Sequence, residues 1–401
     1  MVKNICKITK KKTKRIIDFG KMPIANGFLK KKDFQKEFNF NLSVSFSEEM
    51  SLLQLDDHPK PKMMFNNKYP FFTSSSKFMR HHFIEYANWA KKRFVKKNKS
   101  KIIEIGSNDG TFLENFKNSK FDHIGFEPSK NVSDLARKRG INSLHEFFSR
   151  KNLSKAQKFI GNTDIIFGAN VICHIPDLIE FIKTADLLLS SDGKIIFEEP
   201  YLGSMYKKTS YDQIYDEHIF IFSVSSIKKI FERYDFEIID AISQSTHGGS
   251  MRYVLQRKRS SNLNRKIKSI IEREKRENVD TIKGALNFKK NCEISKEKLL
   301  EKLIKIKKQK KIICGYGATS KSTTILNYCD IGTDIIDCIF DTTPDKIGKF
   351  SPGKHIPILD HKLFSKKFYD YSFLFAWNHK KEIEKKEKKY LKNGGRWITH
   401  I

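Results

Sequence analysis

The sequence predicts an α/β protein with a central Rossmann-like domain and a second Rossmann-like α/β domain at its carboxyl end. Two stretches carry this prediction, because each reads as a strand, a glycine-bearing turn and the start of a helix: KIIEIGSNDGTFL at 101–113 and KIICGYGATSKSTTILNY at 311–328. Short apolar runs alternate with helical spacing after residue 101, which is typical of a parallel sheet covered on both faces. With 401 residues, the chain should hold two or three domains.

We expect three domains, at residues 1–75, 76–258 and 259–401. The first reads as short strands and turns. Its serine-rich end, Thr73–Ser76, should start the helix that leads into the second domain. In the second domain we predict strands at 101–105, 122–127, 141–144, 164–169 and 193–198, helices at 129–139 and 177–190, and a hairpin at 236–256. The third should begin with charged helices over 261–310 and continue as a smaller α/β unit.

Composition excludes several classes of protein. The net charge is +31, but the lysines are dispersed and no nucleic-acid-binding motif accompanies them, so we expect no specific nucleic-acid partner. No apolar run is long enough to span a bilayer, and the basic amino terminus lacks the apolar region of a secretory signal. The six cysteines are scattered without paired spacing, as in a reduced, cytoplasmic protein.

The first glycine turn departs from a dinucleotide site in an informative way. Its spacing is G-x-x-x-G, from Gly106 to Gly110, and Glu104 lies two residues before it. A dinucleotide site needs three glycines so that the backbone can approach a pyrophosphate. An acidic residue instead suits a ligand that has a cationic amino group and no phosphate, and S-adenosylmethionine is such a ligand.

Further cofactor contacts are expected at the ends of neighbouring strands. Glu127 ends the second predicted strand, where a carboxylate can accept hydrogen bonds from both ribose hydroxyls; the alternative is a solvated carboxylate. Asn170 follows the fourth strand. The predicted cofactor-binding residues are Glu104, Gly106, Ser107, Asn108, Gly110, Glu127 and Asn170.

The densest set of reactive side chains lies in YDQIYDEHIFIFS at 211–223. Tyr215, Glu217 and His218 fall within four residues after the fifth strand. Histidine titrates near neutral pH, a glutamate can orient it, and a tyrosine can hold a carbonyl or an enolate. An ordinary amphipathic loop is the alternative. His174 is a further candidate, or else a packed loop residue.

Two other motifs could bind a substrate. HGGS at 247–250, followed by Arg252, offers backbone amides and a cation, or simply a hairpin turn. GYGATSKS at 315–322 could cradle phosphate, with Lys321 as the counter-charge and Asp341 ending the next strand. Since Ser320 replaces a third glycine, we favour an anion-binding turn over a dinucleotide site.

These motifs, in this order, resemble the three-domain sugar C-methyltransferases that act on keto deoxysugar nucleotides. The matching pieces are MPIANGFL, YPFFTSSS, EIGSNDGTFL, GFEPS, NVICHIPDL, EEPY, YDEHIFIFS, HGGSMR, GYGATSKS, SPGKHIPI and FAWNHKKEI. The resemblance implies a class I methyltransferase fold in the middle domain, with S-adenosylmethionine bound there and a sugar nucleotide between the middle and carboxy-terminal domains. It implies that Tyr215, Glu217 and His218 supply the base, with His174 also in the active site. The predicted substrate-binding residues are Tyr69, Phe71, His247, Arg252, Lys321 and Asn378.

The amino-terminal domain departs from the family in its metal ligands. Family members usually hold a structural zinc through two C-x-x-C pairs. Here Cys6 stands at the first position, but Thr9, Ser47 and Met50 occupy the other three. One thiol cannot form a tetrahedral zinc site, so we predict a degenerate zinc-binding domain without zinc, and no other metal.

The sequence therefore predicts an S-adenosylmethionine-dependent methyltransferase that C-methylates a nucleotide-linked 4-keto sugar through an enolate. Two alternatives stay open. One is O- or N-methylation of a sugar or another metabolite on the same scaffold. The other is a non-catalytic module that binds polyanions.

Overall fold

The computed structural model describes residues 4–95, 99–259 and 262–401. The strands are β1 Lys14–Pro23, β2 Asn39–Ser47, β3 Leu52–Leu55, β4 Ser100–Ile105, β5 Phe121–Phe126, β6 Ser143–Leu144, β7 Thr163–Ala169, β8 Leu189–Pro200, β9 Phe220–Ile221, β10 Phe236–Gln244, β11 Ser250–Arg257, β12 Ile313–Tyr316, β13 Ile339–Asp341, β14 Ile358–Asp360, β15 Tyr371–Leu374 and β16 Arg396–Ile398. The α-helices are α1 Pro61–Met64, α2 Lys77–Phe94, α3 Lys130–Lys138, α4 Leu178–Leu188, α5 Leu202–Lys208, α6 Val224–Glu232, α7 Arg265–Arg276, α8 Ile282–Lys308, α9 Ser320–Tyr328, α10 Lys380–Lys386 and α11 Lys388–Lys392. The predicted α/β class is confirmed.

Within the described ranges the strands form three sheets. The amino-terminal sheet is antiparallel, in the order β1-β2-β3-β9. Its last strand, β9, comes from the segment that follows Tyr215, Glu217 and His218, so the amino-terminal sheet is joined directly to the predicted reactive loop. The sequence did not predict this pairing, because a two-residue strand has no periodicity to detect.

The central sheet has seven strands in the order β10-β11-β8-β7-β4-β5-β6. Strands β8, β7, β4, β5 and β6 are parallel, and the predicted hairpin β10–β11 adds to β8 in the antiparallel sense. Ile102, Ile103 and Ile166 are fully buried, as expected for strands covered on both faces. Helix α2 starts at the predicted place: the Ser76 hydroxyl accepts a hydrogen bond from the Met79 amide at 3.2 Å.

The helix predicted after the first glycine turn is wrong. The chain forms only a short 3₁₀ helix, Leu113–Phe116. The Asn115 side chain donates to the Phe112 carbonyl at 2.9 Å, which competes with helix propagation, and β5 begins five residues after Phe116. Helix α2 covers this face of the sheet instead, with Tyr86 5.0 Å from Phe112 between ring centroids.

The carboxy-terminal sheet is parallel throughout, in the order β14-β13-β12-β15-β16. The charged helices predicted before it are confirmed as α7 and α8. Thr281 begins α8 by accepting a hydrogen bond from the Gly284 amide at 3.2 Å. None of the helices in the described ranges combines the length and apolar character needed to cross a bilayer.

Candidate active site

A cavity of about 510 Å³ lies where the three sheets meet. Its floor is formed by the carboxyl ends of the central parallel strands, where Glu104, Glu127, Asn170 and Glu198 follow or end β4, β5, β7 and β8. Open α/β sheets place ligands at this edge. The amino-terminal and carboxy-terminal units supply the opposite walls, including Asn26, Tyr69, Lys321 and Asn378.

Glu104 is built to receive a cation. Its carboxylate is buried, and Oε2 has no hydrogen-bond partner among the described residues. Burial raises the pKa of Glu104 well above its usual value, and the charges of Asp109 and Glu127 add to the effect. A cationic amino group at Oε2 would satisfy the orphaned oxygen and relieve this cost.

The turn after Glu104 allows close approach of a ligand. Gly106 has φ +64°, and a Cβ there would lie 2.6 Å from Cγ2 of Val171, so only glycine fits. Asn170, across the cavity floor, also has positive φ, and its Oδ1 is buried without a partner among the described residues. These groups, with Glu104, fit an adenosyl amino acid.

Glu127 has both carboxylate oxygens fixed by backbone amides. The Asn108 amide donates to Oε2 at 2.9 Å, and the Ser129 amide donates to Oε1 at 2.7 Å. Burial raises the pKa of Glu127 to about 7, and these hydrogen bonds oppose the rise. Each oxygen retains a lone pair that could accept a ribose hydroxyl.

The other predicted turn residues have different surroundings. Ser107 borders the cavity, and its hydroxyl is buried without a partner among the described residues. Asn108 borders the cavity too, but its side chain holds residues 61–76, here called the strap: its Oδ1 accepts from the Thr73 amide at 3.0 Å. Gly110 lies outside the cavity wall, where a Cβ would lie 2.8 Å from Ile141; this close packing accounts for the glycine, and its contact with the cofactor stays a prediction.

Tyr215 and His218 form a hydrogen-bonded pair, and Tyr215 is the member that borders the cavity. The Tyr215 hydroxyl lies 2.7 Å from Nε2 of His218, and Nδ1 of His218 lies 2.7 Å from the Gln213 carbonyl. A carbonyl only accepts, so Nδ1 carries the proton and Nε2 accepts from Tyr215. Burial lowers the pKa of His218 well below its usual value and raises that of Tyr215. Tyr215 thus lies between His218 and the cavity.

His174 borders the cavity beside this pair. Its ring stacks on His218 with 5.3 Å between centroids, and its Nε2 has no partner among the described residues. Burial lowers the pKa of His174 to about 3, which keeps the ring neutral. Cys173, His174 and His218 are also the group of three potential metal ligands found among the described residues. Stacked imidazoles do not aim their in-plane lone pairs at one point, so we assign them no metal.

Glu199 holds the loop that carries Asn170 and His174, and the sequence analysis missed it. Its Oε1 accepts from the amides of Val171 and Ile172 at 3.0 and 2.7 Å. Burial raises the pKa of Glu199 to about 7. The sequence EEPY did not indicate that Glu199 holds this loop, because its hydrogen-bond partners are backbone amides, which any residue type provides.

Glu217 faces the cavity between two donors from the amino-terminal unit. The Asn26 side-chain amide donates to Oε1 at 2.7 Å, and the Tyr69 hydroxyl donates to Oε2 at 3.2 Å. Burial raises the pKa of Glu217 to about 7, against the effect of these two hydrogen bonds. Phe71 also lies on the cavity wall, but 46% of its surface is exposed, which places it at the rim.

The opposite end of the cavity is cationic. Lys321, near the start of α9, is buried, and its Nζ lies 3.3 Å from Oδ1 of Asn378. Burial lowers the pKa of Lys321. Lys346, which the sequence analysis missed, also borders this end and donates to the Ala318 carbonyl at 2.8 Å. Two cations and a helix start fit a phosphate group.

This end does not resemble a dinucleotide site. Asp341 accepts from the Ala318 amide at 2.7 Å and from the Thr343 amide at 2.7 Å. Its carboxylate therefore braces the turn at 315–320, as Glu127 braces the first glycine turn, and Ser320 stands where a dinucleotide turn has its third glycine. The preference for an anion-binding turn stays our interpretation.

His247 borders the cavity, whereas Arg252 does not. Burial lowers the pKa of His247 to about 3. The Arg252 guanidinium donates to Glu198 at 2.7 Å and lies 3.9 Å from the Tyr86 ring centroid. These partners pair its charge and cover one face of the guanidinium, so Arg252 supports Glu198; its direct contact with a substrate stays a prediction.

The four positions that match the family's zinc ligands still lie in two turns, but the side chains there are different. The Thr9 amide lies 3.5 Å from Sγ of Cys6, and the Met50 amide lies 3.4 Å from the Ser47 hydroxyl. Cys6 and Met50 are buried in one apolar cluster. One thiol, two hydroxyls and a thioether do not fit tetrahedral zinc, which takes thiolate and imidazole ligands.

Comparison with known proteins covers most of the chain. Residues 79–241 match the model of a methyltransferase domain, residues 245–401 match that of a C-methyltransferase C-terminal domain, and residues 5–65 match that of a zinc-binding domain. The C-methyltransferase NovU of Streptomyces niveus is 27% identical over 388 residues, which are 96% of this chain and 92% of that protein. The predicted Rossmann-like methyltransferase class of the central domain is confirmed.

Solved structures give weaker similarity. An S-adenosylmethionine-dependent methyltransferase of Thermotoga maritima superimposes with a TM-score of 0.36 at 20% identity, over 45% of this chain and 92% of that one. A magnesium protoporphyrin IX methyltransferase of Synechocystis PCC 6803 gives 0.33 at 13% identity, over 44% and 79%. Both scores are too low to support a conclusion.

Proposed function

Since the chain belongs to the three-domain sugar C-methyltransferase family and is an S-adenosylmethionine-dependent methyltransferase, we propose that it C-methylates a nucleotide-linked 4-keto sugar. One observation carries the proposal: Tyr215, hydrogen-bonded to His218, and His174, whose Nε2 has no hydrogen-bond partner among the described residues, border the same cavity as the cofactor residues. The cavity then holds a base, an oxyanion donor and a methyl source together.

The cofactor end would hold S-adenosylmethionine through Glu104, Glu127 and Asn170. When bound, this cofactor supplies an electrophilic methyl group on a sulfonium. Glu104 would neutralise its amino group, and Glu127 would accept its ribose hydroxyls. Gly106 leaves room for close approach. Holding both reactants in line accounts for a large part of the rate in such transfers.

Tyr215 would remove the proton from the carbon beside the ketone. Its own hydroxyl proton passes to Nε2 of His218, which becomes imidazolium, while the Tyr215 oxygen takes the carbon-bound proton. The electron pair of the broken C–H bond delocalises onto the ketone oxygen as an enolate. The enolate carbon would then form a bond to the methyl group that the bound cofactor supplies, and the electron pair of the broken sulfur–methyl bond would stay on sulfur.

His174 is positioned to stabilise the enolate oxygen. Its neutral ring has a free Nε2 that could donate a hydrogen bond where negative charge develops. The cationic end, with Lys321, Lys346 and Asn378, would hold the phosphates of the nucleotide. The strap, through Tyr69 and the rim residue Phe71, would close over the sugar.

O- or N-methylation on the same scaffold is the second candidate. It needs the cofactor site and a base, but no enolate. Incubation of the sugar nucleotide with the protein in deuterated water, without cofactor, separates the two. We expect deuterium at the carbon beside the ketone, and loss of this exchange in Tyr215→Phe; no exchange at any sugar carbon would exclude C-methylation by this route.

A further inference from the structure

The turn at Ile24–Gly27 reaches from the amino-terminal sheet into the centre of the molecule. The Ala25 amide donates to Oδ1 of Asp216 at 2.9 Å, and the Ala25 carbonyl accepts from the Thr323 hydroxyl at 2.9 Å. One residue is therefore held on one side by the reactive loop and on the other by helix α9. This fixes the position of the next residue, Asn26, on the cavity wall.

Asn26 contacts a carboxylate in an anionic environment. Its amide donates to Oε1 of Glu217 at 2.7 Å. The titratable groups that face Glu217 are Asp216, Tyr215, Tyr69 and Cys173, all anionic or neutral. Among the described residues, the hydrogen bonds from Asn26 and Tyr69 are thus what favours its ionised form.

We propose that Asn26 is a positioning residue that favours the ionised form of Glu217 and directs its carboxylate into the cavity. The amino-terminal unit thereby takes part in the chemistry of the site, although its zinc ligands are gone. An ionised Glu217 can accept a hydrogen bond from a hydroxyl of the substrate, whereas the protonated acid would offer a donor in its place. The identity of that substrate rests on the proposed function; the control of Glu217 by Asn26 does not.

The pKa of Glu217 agrees with this role. Burial raises it to about 7, and the hydrogen bond from Asn26 is the largest effect that opposes the rise. Without this donor, the carboxyl group would be protonated over more of the neutral range. Asn26→Asp would add a carboxyl group of nearly the same shape, and the like charge would raise the pKa of Glu217 further.

Titration of Glu217 tests the proposal without turnover. Protein labelled with [5-13C]glutamate would be titrated by NMR, with Glu217→Gln to assign the signal. We expect the midpoint to rise by about one pH unit in Asn26→Ala, the size expected for one lost hydrogen bond to a charged group. A larger rise of the midpoint is expected in Asn26→Asp. This variant keeps the shape of the side chain, so it serves as the test if Asn26→Ala folds poorly.

The matched control is Asn41→Ala, in the same sheet, where the exposed amide contacts Asp18 instead. It should leave the Glu217 midpoint unchanged. S-adenosylmethionine affinity should stay the same in every variant, because Asn26 does not contact Glu104 or Glu127. An unchanged midpoint in folded Asn26→Ala and Asn26→Asp would overturn the proposal, and this outcome is independent of whether the sugar is C-methylated.

Discussion

Tyr215 stands between His218 and the cavity, with its hydroxyl 2.7 Å from Nε2 of His218. The histidine has its other nitrogen fixed by the Gln213 carbonyl, so it can only take the tyrosine's proton. In the proposed function the two residues act together as one general base.

Both parts of the base should be needed. Tyr215→Phe and His218→Ala should each lower the turnover number by about 10²–10⁴-fold, the usual range for loss of general-base catalysis. The dissociation constant of S-adenosylmethionine, measured by calorimetry, should change little. Full turnover in His218→Ala would show that the pair is not the base.

Glu104 should determine cofactor affinity. Glu104→Gln removes the charge that meets the amino group, and hydrogen bonds to charged groups are worth about 1.5–3 kcal/mol, or roughly 10–100-fold in affinity. Calorimetry with S-adenosylmethionine measures the loss. Glu114→Gln, a substitution of the exposed Glu114 near the same turn, is the control and should bind normally. If Glu104→Gln and Glu114→Gln bound S-adenosylmethionine with equal affinity, the amino group of the cofactor would not bind at Glu104.

Stability should depend on pH through Glu127. Its folded pKa, about 7, is raised above the ordinary value of 4.5, so the folded state holds an extra proton between these values. Its contribution to stability is therefore fully present below pH 4.5 and is lost as the pH rises through 7.

Glu127→Gln removes this dependence. In the ligand-free protein, the melting temperature of the variant minus that of the wild type should therefore increase from pH 5.5 to pH 8. Differential scanning calorimetry at several pH values measures it. Since S-adenosylmethionine needs the carboxylate, the stabilisation it gives the wild type should grow over the same range. A constant difference between variant and wild type would contradict the raised pKa.

Lys321 should act on the sugar nucleotide and not on the cofactor. Lys321→Ala removes a buried cation from the phosphate end, and we expect the KM for the nucleotide substrate to rise by about 10–100-fold. Lys366→Ala, an exposed position in the same unit, is the matched control. If both variants had the wild-type KM, the phosphates would bind at another place.

The amino-terminal unit should accept zinc only after its ligands are restored. We expect metal analysis of the purified protein to find no stoichiometric zinc. The triple variant Thr9→Cys, Ser47→Cys and Met50→Cys should bind one zinc per chain, since the turns at 6–9 and 47–50 are both retained. One tightly bound zinc in the unmodified protein would refute the prediction.

Much of the fold could be predicted because it is periodic. Buried parallel strands such as β4 and β7 read as short apolar runs, and α8 has long helical spacing. The short 3₁₀ helix at Leu113–Phe116 was missed because a single side chain, Asn115, ends the turn. The strand β9 was missed because two residues carry no pattern, although its pairing with β3 joins the amino-terminal sheet to the reactive loop.

The residues that line the cavity could be predicted where they lie at the end of a strand, whereas contacts between residues distant in sequence could not. Glu104 and Glu127 follow strands, so their positions come from the alternation of elements. Asn26, Glu199 and Lys346 act through contacts distant in sequence, such as the 2.7 Å bond from Asn26 to Glu217. The partners of Arg252, Glu198 and Tyr86, lie on different elements, so the sequence did not indicate them.

The position of the transferred methyl group tests the central claim most directly. The protein would be incubated with 13C-methyl S-adenosylmethionine and a panel of uniformly 13C-labelled nucleotide-linked 4-keto deoxysugars, and the products examined by NMR. We predict a one-bond carbon–carbon coupling between the new methyl group and the sugar carbon beside the ketone. A methyl group attached to oxygen or nitrogen, without that coupling, would contradict C-methylation.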